Sequence, residues 1–296
     1  MLAAIAVAFL LVAILVPSKH GPDAAHRSSA TAPAASVAHP SLTSAPCDGN
    51  PNGVAGRWKC SFDDEFDGTS LDISKWQPQL TASSGYVTGG PDCYVDNPDT
   101  ISVSGGHLNL SALRVAPFRC TAGYDSSYQV GMVSSSQLFN QTYGVFAVRA
   151  KIPAATFPGL QETLWLYPQN LTYGPWPASG EIDFAEFFSN NAGNDVPSVH
   201  YAKSSSDANA TALGCTINQR TFNTYAVDWT PRSITIFTNG QVCMIDRPTG
   251  GPAPFNEPFF ISLTQALGIG ANTVTAATPL PATTQIDWVR VWEPAA

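Results

Sequence analysis

Charge is what this chain has least of. Asp, Glu, Lys and Arg make up only 12% of its 296 residues, about half the share usual in soluble proteins. Lys and Arg number 14 against 22 acids, giving a formal net charge of −8 and a pI near 4.9. A nucleic acid or an anionic membrane needs a basic face, so neither is expected as a partner of the chain's body, and a neutral substrate suits this balance better. Other absences narrow the reading further. Nothing resembles a long amphipathic helix. No Cys-x-x-Cys or His-x-x-x-His spacing occurs, which argues against zinc. The glycine-rich stretches lack the spacing of a phosphate cradle, so no nucleotide or redox cofactor is expected.

What replaces charge is Ser, Thr, Gly, Pro and Asn, the surface of an exported protein, while a hydrophobic content of 44% suffices for a real core. Leu2 to Val16 is an unbroken apolar run, short of the ~20 residues that comfortably span a bilayer as a helix. No Lys or Arg precedes it, and the nearest small-x-small site is Ala30-Thr31-Ala32. Residues 1–17 are therefore expected to be a signal peptide or an uncleaved N-terminal membrane anchor. Either role places the body outside the cell, secreted or held at the surface. Residues 18–46 hold Ala, Ser, Pro, Thr and His without periodicity or aromatics, and read as a flexible linker. From Cys47 to Ala296 one domain is the economical reading, acting as a monomer. The 6 cysteines, Cys47, Cys60, Cys93, Cys120, Cys215 and Cys243, suggest disulfides in an exported chain. Sequence alone does not choose their connectivity; the sequential set, 47 with 60, 93 with 120 and 215 with 243, is the expectation.

Short alternating segments fill that domain: 107–113, 144–152, 199–201, 224–229, 233–238, 259–263 and 285–292. Thr238-Asn239-Gly240-Gln241 is a hairpin turn. Many short strands separated by Gly, Pro and Asn predict an all-β sandwich or jelly roll.

The chemistry lies in Glu181-Ile182-Asp183-Phe184-Ala185-Glu186, between the turn-forming Trp176-Pro177-Ala178-Ser179-Gly180 and Phe187-Phe188. On a strand Glu181 and Asp183 share one face, Ile182 and Phe184 the other, and Glu186 is out of phase. A bulge around Phe184 and Ala185 would return Glu186 to the acid face. Crowded carboxylates raise one another's pKa, and a buried unpaired acid is costly, so a purely structural role is a poor account of them. Two carboxyl groups ~5–5.5 Å apart can perform double displacement on a glycosidic bond. The rival readings are a solvated polar strand face and a calcium site built of acids.

This constellation resembles glycoside hydrolase family 16, over roughly Phe62 to Trp292. The resemblance rests on Asp64-Glu65-Phe66-Asp67-Gly68, on Tyr143 to Pro153 as the strand before the acids, and on Trp165-Leu166-Tyr167-Pro168. It extends through Trp176 to Asp183, Val199-His200-Tyr201, Phe222 to Pro231, Pro258 to Ile261 and Asp287 to Trp292. It implies a jelly roll of two antiparallel sheets with a concave substrate groove, and a retaining endo-glycosidase of the laminarinase-like branch that favours β-1,3-glucan. Glu181 would be the nucleophile, Glu186 the acid/base, and Asp183 the residue tuning both. Trp176, Trp165, His200, Arg149 and Gln265 would bind polysaccharide. A structural calcium, carried by some members, would be held partly by Asp287; no cofactor would be required for the reaction. Gln161 and Glu162 depart from the usual aromatic-rich run, which puts the preferred sugar in question. A non-hydrolytic carbohydrate-binding protein or a transglycosylase on the same fold is the alternative.

Overall fold

The computed structural model describes residues 47, 51, 54–81, 90–248 and 251–295. The signal or anchor segment 1–17 and the linker 18–46 expected from the sequence lie outside the described residues. Among the described residues the helices are three short 3-10 turns, Ser189–Asn191, Ser204–Ser206 and Gly270–Asn272. No helix among them is long and apolar enough to cross a membrane.

Alternation of side chains decides the strands. In Asn223–Trp229 the residues Tyr225, Val227 and Trp229 point into the core, and the partner strand Ile234–Thr238 contributes Ile234 and Ile236. The hairpin beyond it turns on Asn239 and Gly240, both at positive φ, the conformation that a two-residue turn between twisted strands demands.

Two large sheets result. The larger runs Gln241–Asp246, Ile234–Thr238, Asn223–Trp229, Gly144–Lys151, Ala282–Pro294, His107–Arg119, Asp125–Val130, Asp92–Tyr94, with Trp58–Asp64 and Ile101–Ser104 added beside this path. The smaller runs Ser198–His200, Glu181–Phe188, Leu160–Pro168, Phe259–Leu267, Met132–Ser134, Gln77–Pro78. A short ribbon pairs Asn194–Asp195 with Cys215–Thr216. Among the described residues the pairings are antiparallel except Asp92–Tyr94 with Asp125–Val130, which is parallel. Gly144–Lys151, placed by resemblance just before the acids, belongs to the larger sheet; within the smaller sheet the strand preceding the acids is Leu160–Pro168.

The core lies between the sheets. Leu164, Leu166, Ile182, Phe184, Phe259, Ile261 and Leu263 meet Phe146, Val148, Tyr225, Val227, Ile286, Val289 and Val291. Each Leu, Ile or Phe so withdrawn from water contributes about 1.5–3 kcal/mol. Phe184→Ala would cost about 3–5 kcal/mol, because that ring is fully buried. The disulfides Cys47–Cys60, Cys93–Cys120 and Cys215–Cys243 form the expected sequential set.

Candidate active site

The acids sit on Glu181–Phe188, which Ser198–His200 flanks on one side and Leu160–Pro168 on the other. The chain enters this strand through a cis Trp176–Pro177 bond and Gly180 at φ +87°. A Cβ on Gly180 would stand 2.9 Å from Phe255 and 3.0 Å from Phe259, so only glycine admits the chain here.

A bulge then sets the phase. Asp183 pairs with Trp165 and Ala185 with Leu164, leaving Phe184 as the additional residue. Ile182, Phe184, Ala185 and Phe187 all enter the core, while Glu181, Asp183 and Glu186 are carried to the opposite face. The bulge inferred from parity is present, and the three acids share one side of the sheet.

Although this face points away from the core, two of its acids are withdrawn from water: Asp183 is 3% exposed and Glu186 7%. Nε2 of His200 lies 3.0 Å from Oδ2 of Asp183, and Nε2 of Gln161 donates to Oε1 of Glu186 at 2.8 Å. The nearest polar atoms of Glu181, Asp183 and His200 fall within 4.8 Å of one another. That spacing would also suit a metal; His200, however, turns Nε2 to the Asp183 carboxylate, a contact that favours a proton on the imidazole. Burial alone would lower the His200 pKa; the hydrogen bond to Asp183 and the charges of Asp183, Glu181 and Glu186 outweigh it and raise the value to about 9. Burial, followed by the charge of Asp183, pushes Glu186 up to about 8, against the opposing pull of His200 and Gln161. Glu186 therefore holds a proton at neutral pH and can give it away. Burial, then Asp183, raises Glu181 as well, with the His200 cation pulling it back. Glu181 is the more accessible of the two glutamates, and the His200 cation is what favours its charged form.

Two carboxyl groups on one sheet face, with a His200-paired aspartate between them and a proton held on Glu186, suit acid/base chemistry at a sugar. Residues 93–290, more than half of the chain, match the model of Glycosyl hydrolases family 16. The chain belongs to this family.

Relatives of the family 16 chain include a glucan endo-1,3-β-glucosidase A1 of Niallia circulans, 29% identical over 78% of this chain and 37% of that protein. A keratan-sulfate endo-1,4-β-galactosidase of Sphingobacterium multivorum is 32% identical over 58% of this chain and 42% of its own length. The chain thus spans less than half the length of these two proteins. Among solved structures, the laminarinase of Rhodothermus marinus superposes with a TM-score of 0.69 at 25% identity, covering 81% of this chain and 99% of that one. A non-specific endo-β-1,3(4)-glucanase gives 0.72 at 23% identity over 83% and 95%, a likeness of fold.

The remaining residues that sequence proposed for the family 16 site divide into two groups. Trp176, Trp165 and His200 gather around the acids. The Trp176 ring lies 5.5 Å from that of His200, centroid to centroid, and its indole N–H is buried without a protein partner. Trp165, paired with Asp183, donates from Nε1 to Oγ1 of Thr264 at 3.0 Å.

Arg149, Gln265 and Asp287 are elsewhere. Arg149 lies on the larger sheet, on the face away from the core, its guanidinium paired with Asp287 and stacked 4.8 Å above the ring of Phe222. Gln265 is fully buried between the sheets, donating to Oε1 of Glu162 at 2.8 Å and accepting from Oγ1 of Thr284 at 2.9 Å. It cannot touch a sugar. Asp287 occupies a bulge opposite the pair Ala150 and Arg149. One carboxylate oxygen is already paired with the Arg149 guanidinium, a fixed positive charge at the carboxylate that does not fit calcium.

Glu162 is likewise in the core, since its neighbours in pairing put Gln161 and Thr163, not Glu162, on the acid face. Two contributors escaped sequence reading: Gln161 as the amide on Glu186, and Asp195, which accepts the backbone N–H of Glu186 at 3.1 Å.

Proposed function

We propose that the chain is a retaining endo-β-glucan hydrolase, with β-1,3-glucan as its favoured substrate. The observation that carries this reading is the Phe184 bulge, which brings Glu186, protonated, to the same face as the more exposed Glu181. Glu181 attacks the anomeric carbon while Glu186 passes its proton to the departing glycosidic oxygen. A covalent glycosyl ester on Glu181 and a shortened glucan result. Glu186, now a carboxylate, takes a proton from a water that attacks the same carbon, releasing the second product and restoring both acids. Asp183, held by His200, keeps a negative charge between the two and so favours the proton on Glu186. Trp176 offers an apolar ring for a pyranose face, and its unpartnered N–H a donor for a hydroxyl.

The substrate class is supported by the relatives named for 1,3-β-glucan and by the bulged spacing of the acids. Residues 47–296 form the catalytic domain in this reading, preceded by a linker and an export segment. Three disulfides are consistent with an oxidising compartment. The test is turnover of laminarin by Glu181→Gln and Glu186→Gln: each is expected to lose at least about 100-fold, and retention of wild-type rates by either would refute the assignment.

A further inference from the structure

Ser198–His200 pairs with the acid strand only from Glu181 to Asp183. Beyond the bulge, that side of the strand has no neighbour in the sheet among the described residues, yet the backbone groups of Glu186 are buried there and need partners. The segment 194–196 supplies them. Oδ1 of Asp195 accepts the Glu186 N–H at 3.1 Å, and the N–H of Val196 donates to the Glu186 carbonyl at 2.8 Å. Oδ2 of Asp195 accepts the hydroxyl of Thr238, at the end of a strand of the larger sheet, at 2.9 Å. Asp195 itself pairs with Cys215, which is tied through Cys243 to the neighbouring strand Gln241–Asp246.

We propose that Asp195 is a positioning residue for Glu186, clasping the backbone from which the acid projects and placing a negative charge behind it. This rests on the assignment of Glu186 as the acid. A carboxylate with no exposure and no cation on it is an expensive way to hold a strand end, which a Ser or Asn could also cap. Burial raises the pKa of Asp195 itself to about 7, against the hydrogen bonds it accepts, so its charge is in place over the alkaline limb of the reaction and acts there. Glu186 is faced by Asp183 and Glu181 from its own strand and by His200 and the neutral Gln161 from the flanking strands. Asp195 stands behind it, with Tyr225 and Glu162 beyond. Among these Asp195 adds to the forces that keep the Glu186 proton in place.

The test compares kcat/KM on laminarin, whose leaving group needs a proton, with kcat/KM on a 2,4-dinitrophenyl β-laminarioligosaccharide, whose leaving group does not. Asp195→Ala is expected to lose about 100-fold on laminarin, the scale of a misplaced catalytic group, and to stay within a few-fold of wild type on the aryl glycoside. Asp195→Asn keeps an acceptor for the Glu186 N–H but not the charge. It is expected to retain most of the laminarin activity while the alkaline limb of its kcat/KM profile moves to lower pH. Thr238→Val, which removes only the support of Asp195, is expected to fall between wild type and Asp195→Ala on laminarin alone, and carries the first comparison should Asp195→Ala not fold. Equal losses on both substrates, no loss on either, or an unmoved alkaline limb in Asp195→Asn would overturn the proposal. Glu186→Ala, assayed alongside, separates the two claims. If it fails to spare the aryl glycoside, the acid assignment itself falls; if it spares it while Asp195→Ala does not, only the clasp falls.

Discussion

Gln161 holds Glu186 by a single bond, from Nε2 to Oε1 at 2.8 Å. An amide donor favours the charged carboxylate, so it opposes the burial and the Asp183 charge that keep Glu186 protonated. In Gln161→Leu this restraint is gone and the Glu186 pKa rises further. The alkaline limb of kcat/KM is then expected to move to higher pH by about one unit, the scale of one hydrogen bond to a charged group. A pH–rate profile of the variant against wild type checks it; a limb that stays in place, or moves down, would show that Gln161 does not govern this proton.

Glu162 sets a different pH dependence, that of stability. Burial raises its pKa from 4.5 to about 8, against a hydrogen bond from Gln265 that lowers it. Between those values the unfolded chain releases the proton and the folded one keeps it, so stability falls as pH rises from about 4.5 to about 8, by at most ~1.4 kcal/mol per unit. Glu162→Gln can still accept from Gln265 but cannot ionise. Its melting temperature is expected to match wild type near pH 4.5 and to exceed it increasingly towards pH 8, as thermal unfolding across that range will show.

Asp287 gives a prediction about metal. Its carboxylate is already paired with the Arg149 guanidinium, whose charge opposes a second cation. Neither calcium nor a chelator is expected to shift the melting temperature, whereas Arg149→Ala, leaving a partly buried acid without its partner, is expected to destabilise by up to about 1 kcal/mol. Stabilisation by calcium in wild type would contradict this.

The three acids were legible in the sequence because parity along one strand is local: Glu181 and Asp183 are in phase, and Glu186 needs a bulge. The sandwich was legible for the same reason, since residues 144–152, 224–229 and 233–238 alternate. What could not be read was register. Whether Gln161 or its neighbour Glu162 faces the site depends on how Leu160–Pro168 pairs across the bulge, and no local pattern states that. Gln265 was misplaced by the same ambiguity, as one position decides between groove and core. Arg149 shares its strand with core residues, but that strand belongs to the other sheet. Asp195 gave no signal, because its role is a side-chain contact between a two-residue ribbon and a strand nine residues earlier in the chain.

Double displacement requires Glu181 as the nucleophile. A 2-deoxy-2-fluoro glycoside of a β-1,3-gluco-oligosaccharide with an activated leaving group slows release of the glycosyl-enzyme, so the ester can be located by peptide mass mapping. A single added glycosyl group on the side chain of Glu181 is expected. A label on Asp183 or Glu186, or hydrolysis with inversion and no label at all, would contradict the mechanism.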